Sequence, residues 1–186
     1  MSAQRAGGLR ALAGALGLVA LMTLTAPDLD VAPRQWVDLT VGEKGTIRDL
    51  ALTVTSVETS TSLTVRDTEL TSTGVFVVVG VVSDALVDPV TFQRIQLETR
   101  ADDRYEPRSE WISAQPPLTQ PGFTVRGTWV FEIPSDGVRG SRLLVENDPR
   151  EFDGYDRGLR IDLGLDGSAP KPGALQPSDS STWVTR

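Results

Sequence analysis

Past residue 33 the chain carries no helical rhythm. It runs in short stretches where apolar and polar residues alternate, broken by Gly, Pro, Asp and Ser. Residues 36–41 set Val37, Leu39 and Val41 on one face of a strand. Residues 46–58 do the same with Leu50, Leu52 and Val54, but Val57 falls out of phase, which predicts a bulge near Thr55. Residues 74–82, GVFVVVGVV, are apolar on both faces and predict a strand buried on both sides. Residues 90–99 form a weaker strand. The clearest pattern is 123–133, with Phe123, Val125, Trp129, Phe131 and Ile133 on one face and Thr124, Arg126, Thr128 and Glu132 on the other. Gly127 shares the apolar face and predicts a close approach by a neighbour. Residues 141–146 and 158–165 complete seven or eight strands within 36–165. That count and spacing predict an all-β, Ig-like β-sandwich, with a small barrel as the alternative.

A different pattern precedes the strands. Residues 11–26 hold no charge and no proline. As a helix they span roughly 25 Å, the lower edge of the bilayer thickness, and Arg10 extends this by snorkelling. Arg5 and Arg10 precede the run; Asp28 and Asp30 follow it. The expectation is a single transmembrane signal-anchor helix, with residues 1–10 cytoplasmic, 27–35 a linker and the body outside. A cleaved secretory signal is the alternative, but cutting after Ala26 leaves Leu24 at −3 and Pro27 next, and cutting after Ala32 leaves Asp30 at −3 and Pro33 next. At the other end, 166–186 is rich in proline and lacks periodicity, which predicts a disordered tail. Trp183 is an unusual residue for such a tail.

Composition narrows the chemistry. Among 186 residues there is no Cys and no His, which excludes disulfides, thiol nucleophiles, Ser-His-Asp triads and thiolate or imidazole metal ligands. The net charge is −7, and the two bases of residues 1–27 face no acid there, so the acidic excess lies in the body. Such a surface does not recruit nucleic acid through its phosphates. No cofactor is expected.

Two stretches carry a resemblance. They are 74–82 and 121–134, the latter reading PGFTVRGTWVFEIP, with the alternating strand after Gly45 and the polar loop holding Tyr105. Over about residues 40–147 the chain resembles a telokin-like, Ig-like bacterial extracellular domain family of unknown function, related to a secreted mycobacterial immunoprotective antigen. It departs from that pattern at Ser83-Asp84, where the family often has Asn, and in having no lipobox cysteine. The resemblance implies an exported sandwich and carries no catalytic residues with it.

Three groups of residues are candidate chemistry. The acidic stretch 147–156 offers Asp148, Glu151, Asp153 and Asp156 as weak calcium candidates, against a plain solvated turn with Arg150 and Arg157 as ion-pair partners. Asp102 and Asp103, with Asp84 and Asp88, are carboxylates a hydrolase would need in one cleft, against the commoner role of loop acids. The loop 104–122 is long and proline-rich, and Tyr105, Trp111 and Ile112 are candidate partner anchors, against the reading that Trp111 and Ile112 cap the sandwich. Together these predict a membrane-anchored, non-catalytic module that binds an envelope or membrane protein. A small-ligand or lipid module built on 74–82 is the alternative, and a carboxylate hydrolase ranks last.

Overall fold

The computed structural model describes residues 35–186 apart from 93, 109–111, 115, 117, 147–156, 172, 178–180 and 186. The expected anchor helix at 11–26 and the linker through residue 34 lie outside these residues. Ten strands are present among the described residues: β1 Gln35–Thr40, β2 Lys44–Ile47, β3 Leu50–Val65, β4 Thr68–Ala85, β5 Arg94–Glu98, β6 Arg104–Tyr105, β7 Phe123–Ile133, β8 Arg142–Glu146, β9 Arg157–Asp162 and β10 Thr182–Thr185. One sheet runs β1-β9-β8-β5-β6, and the other β10-β7-β4-β3-β2. Within the first, β1 and β9 are parallel; the other pairs are antiparallel.

The two sheets bury one shared core, so the fold is a β-sandwich. Val75, Val77, Val79 and Val81 of β4 and Trp129, Phe131 and Ile133 of β7 meet Ile95, Leu97, Leu143, Val145, Leu159 and Ile161 of the other sheet. Phe92 meets the Trp129 ring edge-on at 5.0 Å. The opposite face of β4 and β7 is apolar too. Phe76, Val78 and Val130 form a second cluster with Leu63, Val65 and Ile112. This is why 74–82 alternates nothing: both of its faces are covered.

The bulge falls where the phase of Val57 predicts it, with a register shift between Val54 and Ser56. Gly80 lies opposite, and a Cβ there would sit 2.4 Å from Ser56 Oγ. Gly74 abuts the neighbouring strand, where a Cβ would sit 2.2 Å from the Ile133 carbonyl oxygen. Gly127 is approached closely, as its position on an apolar face predicts, by the Ala114 carbonyl and the Pro116 ring.

Three expectations are corrected. Val41 lies past the end of β1 and is 38% exposed, so it does not join Val37 and Leu39 against the core. The β3–β4 hairpin extends well beyond the bulge and turns at Arg66-Asp67, both with positive φ (48° and 64°), as a two-residue turn between twisted strands requires. The segment 166–186 is not a free tail. Lys171 N–H donates to the Thr59 carbonyl, Leu175 N–H to Ser62, and Thr64 N–H to Leu175, and β10 pairs with β7. Leu175 packs on the second cluster, and Trp183 meets Phe123 edge-on at 5.7 Å. The C-terminal segment thus covers a stretch of edge on both sides of its sheet, which blocks edge-to-edge association.

Candidate functional site

The loop 104–122 is first a structural device. Arg108 N–H donates to the Val130 carbonyl and Thr128 N–H to that of Ala114. Ser113 Oγ accepts from Val130 N–H and donates to the Arg108 carbonyl. The loop therefore continues the edge of β7 beyond β10. Ile112, proposed as a partner anchor, is 3% exposed inside the second cluster and offers no surface; it caps the sheet instead. Trp111 lies outside the described residues. Tyr105 is half-buried against the main core and lines a surface recess.

The candidate carboxylates are not brought together. Asp84 is buried in β4, accepting from Thr124 Oγ1 at 2.6 Å and from Lys44 Nζ at 2.8 Å. Asp102 is 81% exposed in the β5–β6 turn of the other sheet, and Asp88 is exposed in a loop. Asp103 lines a surface recess with Tyr105 and Asp136, and neither Asp84 nor Asp88 lines it. The calcium candidates Asp148, Glu151, Asp153 and Asp156 lie outside the described residues. Among the described residues no three metal-type side chains cluster, and no helix is long and apolar enough to cross a membrane.

What the first sheet presents outward is a ladder of charge. The register sets Asp162, Arg142, Glu98 and Arg104 side by side across β9, β8, β5 and β6. Glu98 is buried and held by two guanidinium groups. Arg104 donates to its Oε1 from Nε (3.2 Å) and Nη2 (3.0 Å), and Arg142 Nη2 lies 2.9 Å from Oε2. One row along, Arg160 donates to both oxygens of Asp38, at 2.5 and 2.9 Å. These hydrogen bonds hold the Asp38 carboxyl below its ordinary value and raise Arg160.

Where this ladder reaches the loops at the end of the sheet, a groove opens. One part, of about 500 Å³, is lined by Arg100, Arg139, Arg142 and Leu165, with Asp162 and Asp166. A second recess, of about 290 Å³, shares Arg100 and is lined by Asp103, Tyr105 and Asp136. Three connections supply it: 99–103, 134–141 and 163–167. Sequence reasoning missed it because Arg100, Arg139 and Arg142 meet only through the pairing of β5, β8 and β9. Tyr105 was its one visible member.

No family model and no curated protein sequence matches this chain. Among solved structures it is similar to the yjhA protein of Bacillus subtilis, with 13% identity, a TM-score of 0.49, and coverage of 67% of this chain and 99% of that one. It is also similar to an uncharacterized β-sandwich protein of Clostridium difficile 630, with 12% identity, a TM-score of 0.41, and coverage of 68% and 95%. A third is the ycdA protein of Bacillus subtilis, with 14% identity, a TM-score of 0.44, and coverage of 64% of this chain but 38% of that one.

Proposed function

We propose that this chain is a membrane-anchored, extracytoplasmic, non-catalytic module that binds a protein of the cell envelope. The observation that carries the reading is the order of parts: an uncharged apolar run at 11–26, bases before it and acids after it, then a β-sandwich. The chemistry of the body agrees. Its buried Asp84 and Glu98 are committed to Lys44, Thr124, Arg104 and Arg142, which makes them structural groups. The sandwich is Ig-like and belongs with the telokin-like extracellular family. Its two motif stretches support this: they form the neighbouring strands β4 and β7, and the motif glycine Gly74 makes room for the Ile133 carbonyl.

The alternative, a small-ligand or lipid module built on 74–82, has less support. The recess beside β4 holds about 240 Å³, below the usual size of a ligand pocket, and Thr55, Arg126 and Thr128 line it along with Val81 and Val82.

Cross-linking a tagged full-length copy in intact cells tests the reading. One recurrent, near-stoichiometric membrane or envelope protein is the expected product. Recovery from membranes with no cross-linked partner overturns the binding role, and recovery only from the medium overturns the anchor.

A further inference from the structure

We propose that the end of the sandwich where Gln35 enters rests on the outer surface of the bilayer, with Leu86, Val87, Leu118 and Trp183 in contact with lipid. This rests on the anchor reading above and adds the face that the body turns to the membrane.

Topology gathers these residues. Gln35 lies opposite Arg157 at the start of β9, and at the same end of that sheet Arg94 at the start of β5 lies opposite Glu146 at the end of β8. Residues 86–93 join Arg94 to Ala85 at the end of β4, so Leu86 and Val87 belong to this end. Leu118 joins them, because the Thr119 and Val90 backbones exchange hydrogen bonds and Pro121 bridges to Ala85. β10 finishes there too, with Thr185 opposite Phe123 at the start of β7. Among the described residues, the exposed large apolar side chains are Val41, Leu86, Val87, Leu118, Trp183 and Val184, and only Val41 lies elsewhere. Trp36, half-buried over Gly158, follows the entry point directly. Trp129 is buried in the core, so the described tryptophans that keep some surface, Trp36 and Trp183, share one end.

Reach and chemistry commit this face to lipid. Residues 27–34 extend to at most about 28 Å, whereas β7, with 11 residues, runs about 36 Å along the sandwich. An anchor at 11–26 therefore keeps the Gln35 end within reach of the bilayer, and the linker is too short for the body to stand on its opposite end. Burying apolar side chains is favourable, and tryptophan is enriched where membrane meets water. Leu86 and Val87, Leu118 and Trp183 stand on three separate segments, which suits a fluid surface that needs no shaped pocket. The opposite end exposes Asp102, Asp103, Asp136 and Asp166 and, of the described large apolar side chains, Val41 alone. The attraction is not one of charge. At the Gln35 end, Asp49, Asp88 and the four acids of 147–156 outnumber Arg48, Arg94, Arg150 and Arg157, so anionic headgroups are not what draws it down.

The test uses the full chain in vesicles of neutral phosphatidylcholine. The chain has no cysteine, so Val87→Cys and Arg139→Cys each give one reporter, the second in the 134–141 connection at the opposite end. A membrane-impermeant maleimide labels both, and rates are compared on outward-facing chains. Docking is reversible, so labelling of Val87→Cys is slowed and not prevented. Adding Leu86→Ser/Leu118→Ser removes two leucines from the contact and should raise the Val87→Cys rate at least about fivefold, with Arg139→Cys unchanged. Both leucines are exposed, so the fold is kept, and far-ultraviolet circular dichroism checks this. A bimane label on Val87→Cys should also be quenched by a nitroxide-bearing lipid, and one on Arg139→Cys should not. Equal Val87→Cys rates in the two backgrounds, or no quenching, overturn the proposal. Protection that rises with the number of chains per vesicle overturns it in favour of a second copy on this face. Protection lost in about 0.5 M salt overturns the apolar contact. Flotation separates the two claims. Chains that float with the vesicles and show no protection sink the docking and leave the anchor standing. Chains that do not float sink the anchor, and the docking with it.

Discussion

Glu98 offers the sharpest test of the energetics. Its side chain is 8% exposed, while those of Arg104 and Arg142 are 45% and 33% exposed. Removing the acid therefore differs from removing the bases. In Glu98→Gln, both guanidinium groups lose their counter-ion but reach water, so the cost is that of weakened charge-assisted hydrogen bonds, about 2 kcal/mol. In Arg104→Met/Arg142→Met, the carboxylate stays buried with neither guanidinium, and breaking a buried pair from that side costs about 3–5 kcal/mol. The single variants should also differ. Arg104 supplies two hydrogen bonds to Glu98, whereas Arg142 Nε is buried without a partner, so Arg142→Met also removes an unsatisfied donor and should cost less than Arg104→Met. The 3.8 Å contact of Arg142 with the exposed Asp102 contributes little. Urea denaturation at pH 7, with an unchanged dependence on urea, reads all four variants. The losses should persist at 0.5 M salt, because the carboxylate is shielded from screening. A double-arginine variant no less stable than Glu98→Gln would refute the reasoning.

Deleting 166–186 should lower stability by on the order of 2–3 kcal/mol, from three backbone hydrogen bonds at β3 and the β10 pairing, and should promote association through the bared edges, read by denaturation and size-exclusion chromatography. Gly127→Ala should lower the melting temperature, with a cost of about 1–3 kcal/mol, because its Cβ would sit 2.6 Å from the Ala114 carbonyl; a rise would mean the loop yields freely. Asp38 titrates below its ordinary value when folded, so its bond to Arg160 contributes stability above the unfolded carboxylate pKa and loses it as pH falls through the lower folded value. Asp38→Asn should therefore flatten part of the acid limb of the stability profile and leave the slope above pH 6 unchanged.

How far the fold could be read in the sequence depended on how local the signal was. β7 follows from its own alternation and ends at the residues the pattern predicts. The bulge near Thr55 follows from one valine out of phase. The far half of the β3–β4 hairpin was missed. Its Ser- and Thr-rich stretch 58–73 holds only Leu63, Val65 and Leu70 as apolar markers, and Arg66-Asp67 turns without the usual glycine. The C-terminal segment looked disordered because its order comes from β3 and β7, more than 50 residues earlier, and not from its own periodicity. The same holds for the groove. Arg100 and Arg139 are ordinary loop residues in the sequence, and only the neighbouring placement of β5, β8 and β9 brings them to one recess. Ile112 shows the reverse error: an apolar residue in a long loop reads as an anchor until the sheet face beneath it is known to need a cap.

The central claim is that the sandwich is held at the outer side of a membrane. The chain has no cysteine, so one introduced at Val87, which is 71% exposed, gives a single reporter. Intact cells carrying Val87→Cys are treated with a membrane-impermeant maleimide and then fractionated. The account predicts labelling before lysis, with the labelled chain in the membrane fraction. Labelling only after lysis would contradict it, as would labelled protein found only in the medium.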